Sequence, residues 1–195
     1  MTISCDIIRS LDGRMLKHPA GFHLPTGGWI HLDGDAGPAF GRALLDGHIS
    51  LELQREQIKT APELAFLLAP PNGLQHLKTA EFLRSIYHHH REDPDDGEFR
   101  DLMMAGLKSL GLPPRTLSFP LGSHSNPIRA QLDYLSLKFK NFHLLVLEGV
   151  CHNWDYIERE VAQKGASLIT IGPSLDGRQP SQHLQLEFAS ESSRV

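Results

Sequence analysis

Residues 142–171 carry the clearest succession of apolar runs and amphipathic stretches in the chain. Phe142 to Leu147 is a short apolar run with one internal histidine, closed by Glu148, which predicts a strand covered on both faces. A helix is expected next. Asn153 suits its cap, Asp155 and Glu158 place negative charge near its N-terminus, and Trp154, Ile157 and Val161 share one face. Lys164 and Gly165 supply a cationic last turn and a terminating glycine, and residues 166–171 read as a second buried strand. Strand, helix and strand joined by tight loops make a βαβ unit with a right-handed crossover.

The N-terminal pattern differs, being rich in alternating strands and turns. Residues 3–8 predict a strand, Leu11, Asp12 and Gly13 a turn, and residues 14–17 its hairpin partner. The tripeptide Leu-Asp-Gly recurs at Leu32, Leu45 and Leu175, at irregular intervals that indicate reused turn chemistry rather than a repeat. Residues 38–46 predict a short helix closed at Gly47, and residues 49–54 alternate as a half-buried strand with one wet face.

From Glu63 onward, buried runs alternate with amphipathic helices. Residues 64–68 predict a strand ending in Pro70, Pro71, Asn72 and Gly73. Leu74, Leu77, Phe82, Leu83 and Ile86 then mark a helix running to His88, His89 and His90, and Phe99, Leu102, Met103, Leu107 and Leu110 mark another, stopped by Gly111, Pro113 and Pro114. Residues 116–119 predict a further strand. It leads into a helix with Ile128, Leu132, Leu135 and Phe139 on one face, with Pro127 at its first position and Ser125 or Asn126 as cap. Residues 183–188 alternate, as an antiparallel strand at a sheet edge would, and the tail from Ala189 reads as disordered.

These elements predict an α/β fold, a mostly parallel sheet between helix layers in a three-layer sandwich, with the strands at residues 64–68, 116–119, 143–147 and 167–171 in one sheet. The expected organisation is a β-rich N-terminal subdomain over residues 1–60, an α/β core over 61–188, an antiparallel C-terminal edge strand and a disordered tail over 189–195. A chain of 195 residues, 40% hydrophobic and 22% charged, is long enough for one well-buried core and short for two. A formal charge of -4 gives no electrostatic footprint for nucleic acid or an anionic membrane. No apolar run approaches the roughly 20 residues that span a bilayer, and the N-terminus lacks the pattern of a secretory signal, so a cytoplasmic protein is expected. Cys5 and Cys151, far apart in sequence, read as reduced thiols rather than a structural disulfide.

In such a sheet, ligands bind outside the carboxyl ends of the strands, so residues 69–73, 121–126, 148–153 and 172–176 are expected to meet at one rim. Gly122, Ser123, Ser125 and Asn126 form a candidate anion site, since small residues at a helix N-terminus leave N–H groups free; the same residues are also the ordinary capping set. Cys151 is a candidate nucleophile, with His124 or His152 as base and Glu148 or Asp155 to orient the imidazole, against the alternative of a small buried residue. His88, His89 and His90 read as a solvated helix end, and the His31-x-Asp33 spacing is a weak iron-site signal, so no metal is assigned.

Without a complete catalytic signature, the sequence favours a non-catalytic regulatory or interaction module with a protein partner. The alternative is an enzyme or an anion- or nucleotide-binding protein that takes a small anionic ligand at the strand-end loops. The sequence leaves the cofactor unknown.

Overall fold

The computed structural model describes residues 1–67, 74–172, 175 and 177–190. Two sheets dominate. Strands β1 (Thr2–Leu11), β2 (Arg14–Pro25), β4 (Leu51–Arg55) and β5 (Ile58–Thr60) form an antiparallel sheet in the order β2-β1-β4-β5. Strands β6 (Leu64–Leu67), β7 (Leu144–Glu148), β8 (Ser167–Ile171), β3 (Trp29–Asp33) and β9 (Gln182–Gln185) form a five-stranded parallel sheet in that spatial order. The fold is α/β, as the alternation of buried runs and amphipathic stretches requires.

The chain forms two compact units, one of residues 1–68, 142–150 and 161–195, the other of residues 69–141 and 151–160. In the first, α1 (Gly37–Leu45) contributes Phe40, Ala43 and Leu44 to a core shared with Ile30 and Leu32 of β3, Leu144 and Val146 of β7, and Ile169 and Ile171 of β8. Ile3, Leu24, Leu51 and Leu53 from the antiparallel sheet join the same cluster. Each such side chain removed from water contributes roughly 1.5–3 kcal/mol. The wet face expected of β4 is present, with Leu51 and Leu53 buried while Glu52 and Gln54 are exposed.

The βαβ unit forms as expected. β7 and β8 are parallel neighbours, Leu144 opposite Ser167, and α5 (Trp154–Gln163) connects them. Asn153 caps α5, its Oδ1 accepting the Tyr156 N–H at 3.1 Å, and Gly165 follows the helix in the left-handed region at φ 57°.

The second unit contains α2 (Thr79–His89), α3 (Asp96–Leu110) and α4 (Asn126–Leu135). Tyr87, Phe99 and Phe139 pack as an aromatic cluster with ring centroids 5.2 to 5.9 Å apart. Asp95 caps α3 through the Glu98 N–H, and Gly111 ends it at φ 69°.

Two sequence expectations need correction. Residues 116–119 are not a strand: Pro114 opens a 3-10 turn over Pro114–Ser118, with the Thr116 N–H bonded to the Pro113 carbonyl. The fixed φ of consecutive prolines presets a helical turn, and Pro120 leaves no length for a ladder. The C-terminal strand does lie at the sheet edge, but it runs parallel to β3, Ile30 opposite Gln182. Its antiparallel contact is one isolated bridge, Phe188 opposite Leu16. Alternation reveals exposure, not direction. Trp29 to Asp33, within the β-rich N-terminal stretch, pair in the parallel sheet between β8 and β9. Leu68, the expected loop at residues 69–73 and residues 191–195 lie outside the described residues, while the Ala189 N–H is bonded to the Met15 carbonyl at 2.9 Å.

Candidate functional site

Three chain segments of the first unit converge at the carboxyl edge of the parallel sheet. β3 ends in Asp33 and turns through Gly34, Asp35 and Ala36 into α1; β7 ends in Glu148 and Gly149; β8 ends in Gly172. The turns are held by main-chain bonds. The Gly149 N–H reaches the Ile171 carbonyl at 2.8 Å, and the Gly172 N–H reaches the Leu32 carbonyl at 3.3 Å. Glycine is required at position 34 by contact as well as by φ: a Cβ there would lie 2.2 Å from the Leu186 carbonyl oxygen, at φ 98°. The result is a backbone-lined edge at the N-terminus of α1, with Glu148 half-buried beside it.

Its electrostatics are mixed. The Asp33 Oδ1 accepts the Gly34 N–H at 2.7 Å, and the Asp35 Oδ1 accepts the Phe188 N–H at 3.0 Å, so both carboxylates are partly committed to the turn. The Ala36 N–H goes to the Leu186 carbonyl and the Gly37 N–H to the Gly34 carbonyl, and Pro38 has no N–H. His31, 3% exposed, lies beneath the edge with Nδ1 2.9 Å from Thr170 Oγ1. Burial pushes its pKa down, as does His183, against opposing effects of Asp33 and the Gly172 backbone.

The residues singled out from sequence occupy other positions. The Gly122 N–H is spent on the Gln75 carbonyl, the Ser123 N–H and hydroxyl both go to the Pro120 carbonyl, and the His124 N–H goes to the Leu121 carbonyl. Ser125 stands at the N-cap of α4 without a side-chain capping bond, and the Asn126 Oδ1 accepts from the Arg129 guanidinium. His124 Nε2 lies 3.2 Å from Thr79 Oγ1. Cys151 is 4% exposed and close enough to Tyr134 to help burial push that phenol upward, while the Tyr134 hydroxyl accepts the exposed His152 N–H at 3.1 Å. Because the segment before Gly122 is a 3-10 turn, the loops at Gly122 and Cys151 do not leave neighbouring strands, as the shared-rim expectation required. His88 and His89 lie in the last turn of α2, and among the described residues no group of three or more His, Cys, Asp or Glu is arranged to hold a metal ion.

No protein-family model matches the sequence, and no curated protein is similar to it. Solved structures do match in shape. A Pyrococcus furiosus protein assigned as the ATP-binding protein of an ABC transporter superposes with a TM-score of 0.71 at 13% identity, covering 95% of this chain and 98% of its own. The fold is that of ABC transporter ATP-binding proteins. An ATP-binding subunit of an ABC transporter matches with a TM-score of 0.71 at 12% identity over 97% of this chain and 89% of its own. A dimeric ATP-binding cassette in a post-hydrolysis state, bound to ADP and Pi, matches with a TM-score of 0.66 at 13% identity over 97% of each chain. These likenesses overturn the preference for a non-catalytic regulatory or interaction module: the proteins sharing this fold are named for binding ATP.

The strand-to-helix loop at Gly34 is a candidate site that the sequence pattern did not single out. A P-loop reads Gly-x-x-x-x-Gly-Lys-Ser/Thr between a strand and a helix. Counted from Gly34, the later fixed positions are Ala39, Phe40 and Gly41, and Phe40 is 2% exposed in the core. The loop joins a strand to a helix, as a P-loop does, but the lysine and hydroxyl of that pattern are missing.

Proposed function

We propose that this chain binds a magnesium–nucleotide at the carboxyl edge formed by residues 34–37, Glu148, Gly149 and Gly172. The observation that carries the reading is the glycine-lined edge itself, set at a strand-to-helix turn in a fold otherwise found in ATP-binding proteins. The α1 dipole favours the phosphates, and Glu148 at the end of β7 is the carboxylate suited to hold magnesium. Magnesium also offsets the negative charge of Asp33 and Asp35, which would otherwise repel an anion.

With Phe40 in the lysine position, affinity is modest. A helix terminus contributes 0.3–1 kcal/mol, and a hydrogen bond to a charged group about 1.5–3 kcal/mol, which together place Kd on the order of 1 mM or weaker before magnesium is counted. Hydrolysis is slow for the same reason, since charge developing on the phosphates meets magnesium and backbone but no loop cation. The test is calorimetric titration of the full chain with ATP and ADP, with and without magnesium. Magnesium-dependent binding that Glu148→Ala weakens about tenfold supports the reading; equal binding with and without magnesium, or none at millimolar nucleotide, rejects it. A second copy of this chain is the first protein partner to test, by mass measurement with and without nucleotide, since the matched cassette bound to ADP and Pi is a dimer.

A further inference from the structure

β3 alternates, sending Ile30 and Leu32 into the core and leaving Trp29, His31 and Asp33 on its other face. The parallel registers set Thr170 of β8 on one side of His31 and His183 of β9 on the other. Within this row the hydrogen bonds have one consistent direction. The Trp29 indole N–H donates to Thr170 Oγ1 at 2.8 Å, and the same oxygen lies 2.9 Å from His31 Nδ1 and 3.5 Å from the Ile30 carbonyl. An oxygen that has accepted the indole proton directs its own hydrogen to the nearer acceptor, His31 Nδ1. The imidazole proton is then on Nε2, and hydrogen bonding with the Gly172 backbone acts on the same ring.

The geometry points to His31 as a proton-gated positioning residue of the carboxyl edge: in its neutral form it ties Trp29, through Thr170, to Gly172, and protonation releases that tie. The nucleotide part of this inference rests on the function proposed above; the relay does not. A proton on Nδ1 turns the Thr170 hydrogen away toward the Ile30 carbonyl, at the long limit of a hydrogen bond. It also places a cation at a site 3% exposed, with the His183 ring 5.2 Å away. Of the charged groups facing His31, His183 on β9 opposes the proton and Asp33 on β3, itself 4.0 Å from His183, favours it; Thr170, Gly172 and Trp29 present neutral groups. Burial and His183 prevail, so the neutral form is favoured in the fold. The stabilisation is complete above the ordinary histidine value of 6.5 and is lost as pH falls below it.

The experiment follows His31 by nitrogen NMR, together with the Trp29 indole and Gly172 amide signals, from pH 8 to pH 5 in the full chain, and measures Mg-ADP affinity over the same range. Expected are an Nε2–H tautomer at pH 8 and one shared midpoint below 6.5 for all three signals. Affinity should fall about tenfold per pH unit below that midpoint. His31→Gln, which keeps an N–H for Gly172 but cannot titrate, should abolish the transition and flatten the affinity profile, whereas His31→Leu should weaken binding at every pH. An Nδ1–H tautomer, separate midpoints, or an unchanged transition in His31→Gln would overturn the relay. Absence of Mg-ADP binding at every pH would overturn the nucleotide reading instead, and the two failures are therefore distinguishable.

Discussion

Gly149 and Gly172 lie backbone against backbone at the ends of two neighbouring parallel strands: a Cβ on Gly172 would sit 3.5 Å from the Gly149 Cα. Gly172 also holds φ 150°, outside the range that L side chains favour. Gly172→Val should therefore cost about 1–3 kcal/mol in chemical denaturation and fill the space assigned to phosphate, lowering nucleotide affinity beyond what the stability loss explains. Nucleotide affinity equal to that of the parent chain would argue that Gly172 does not line the site.

Lys138 Nζ and Glu160 Oε1 form a 2.5 Å ion pair in the second unit, with side chains 20% and 2% exposed. Removing one partner strands the other. Lys138→Met alone should destabilise the fold by about 3–5 kcal/mol, and adding Glu160→Leu should recover most of the loss. Additive effects in this double-mutant cycle would show the pair to be energetically unlinked.

Burial pushes the Asp133 carboxyl up to about 6, against the pull of Lys140 and Arg129. A carboxyl whose folded pKa is raised favours the fold below its unfolded value and costs stability as pH rises through about 6. Asp133→Asn should accordingly raise stability by about 1–3 kcal/mol at pH 7.5 and have little effect at pH 4. Denaturation midpoints at the two pH values decide this, and a larger gain at pH 4 would reverse the sign.

Cys5 and Cys151 are both buried and form no disulfide, and burial, then Asp6, pushes the Cys5 thiol up to about 11. Little thiolate forms at pH 8, and reagent has poor access. Thiol-reactive dye should label the native protein slowly, while two thiols per chain react promptly in denaturant. Fast native labelling of Cys5 would contradict its buried position.

Much of the architecture was legible because buried parallel strands are written as apolar runs. Residues 144–148 and 167–171 announce β7 and β8, and Asn153 and Gly165 delimit the connecting helix. The Leu-Asp-Gly turns were legible too: Gly13, Gly34, Gly47 and Gly177 all adopt positive φ. Residues 116–119, Thr-Leu-Ser-Phe, misled because alternation over only four residues does not distinguish a strand from a turn, and the prolines beside it determined the outcome. The loop at Gly34 escaped notice for a chemical reason. The identifying signal of a P-loop is a lysine, and at the corresponding position this chain has Phe40. The row of Trp29, His31 and Thr170 was hidden because β3 and β8 are distant in sequence and only their register brings these side chains together.

The central claim is location, and amide NMR of the isotope-labelled full chain during a Mg-ADP titration tests it most directly. Saturable shifts at Gly34, Gly37, Gly149 and Gly172, with the amides of Gly122, Ser123, Ser125 and Asn126 unmoved, are the expected result. Shifts at the second set with the first unmoved, or none at either at millimolar Mg-ADP, would contradict a nucleotide site at the carboxyl edge of the parallel sheet.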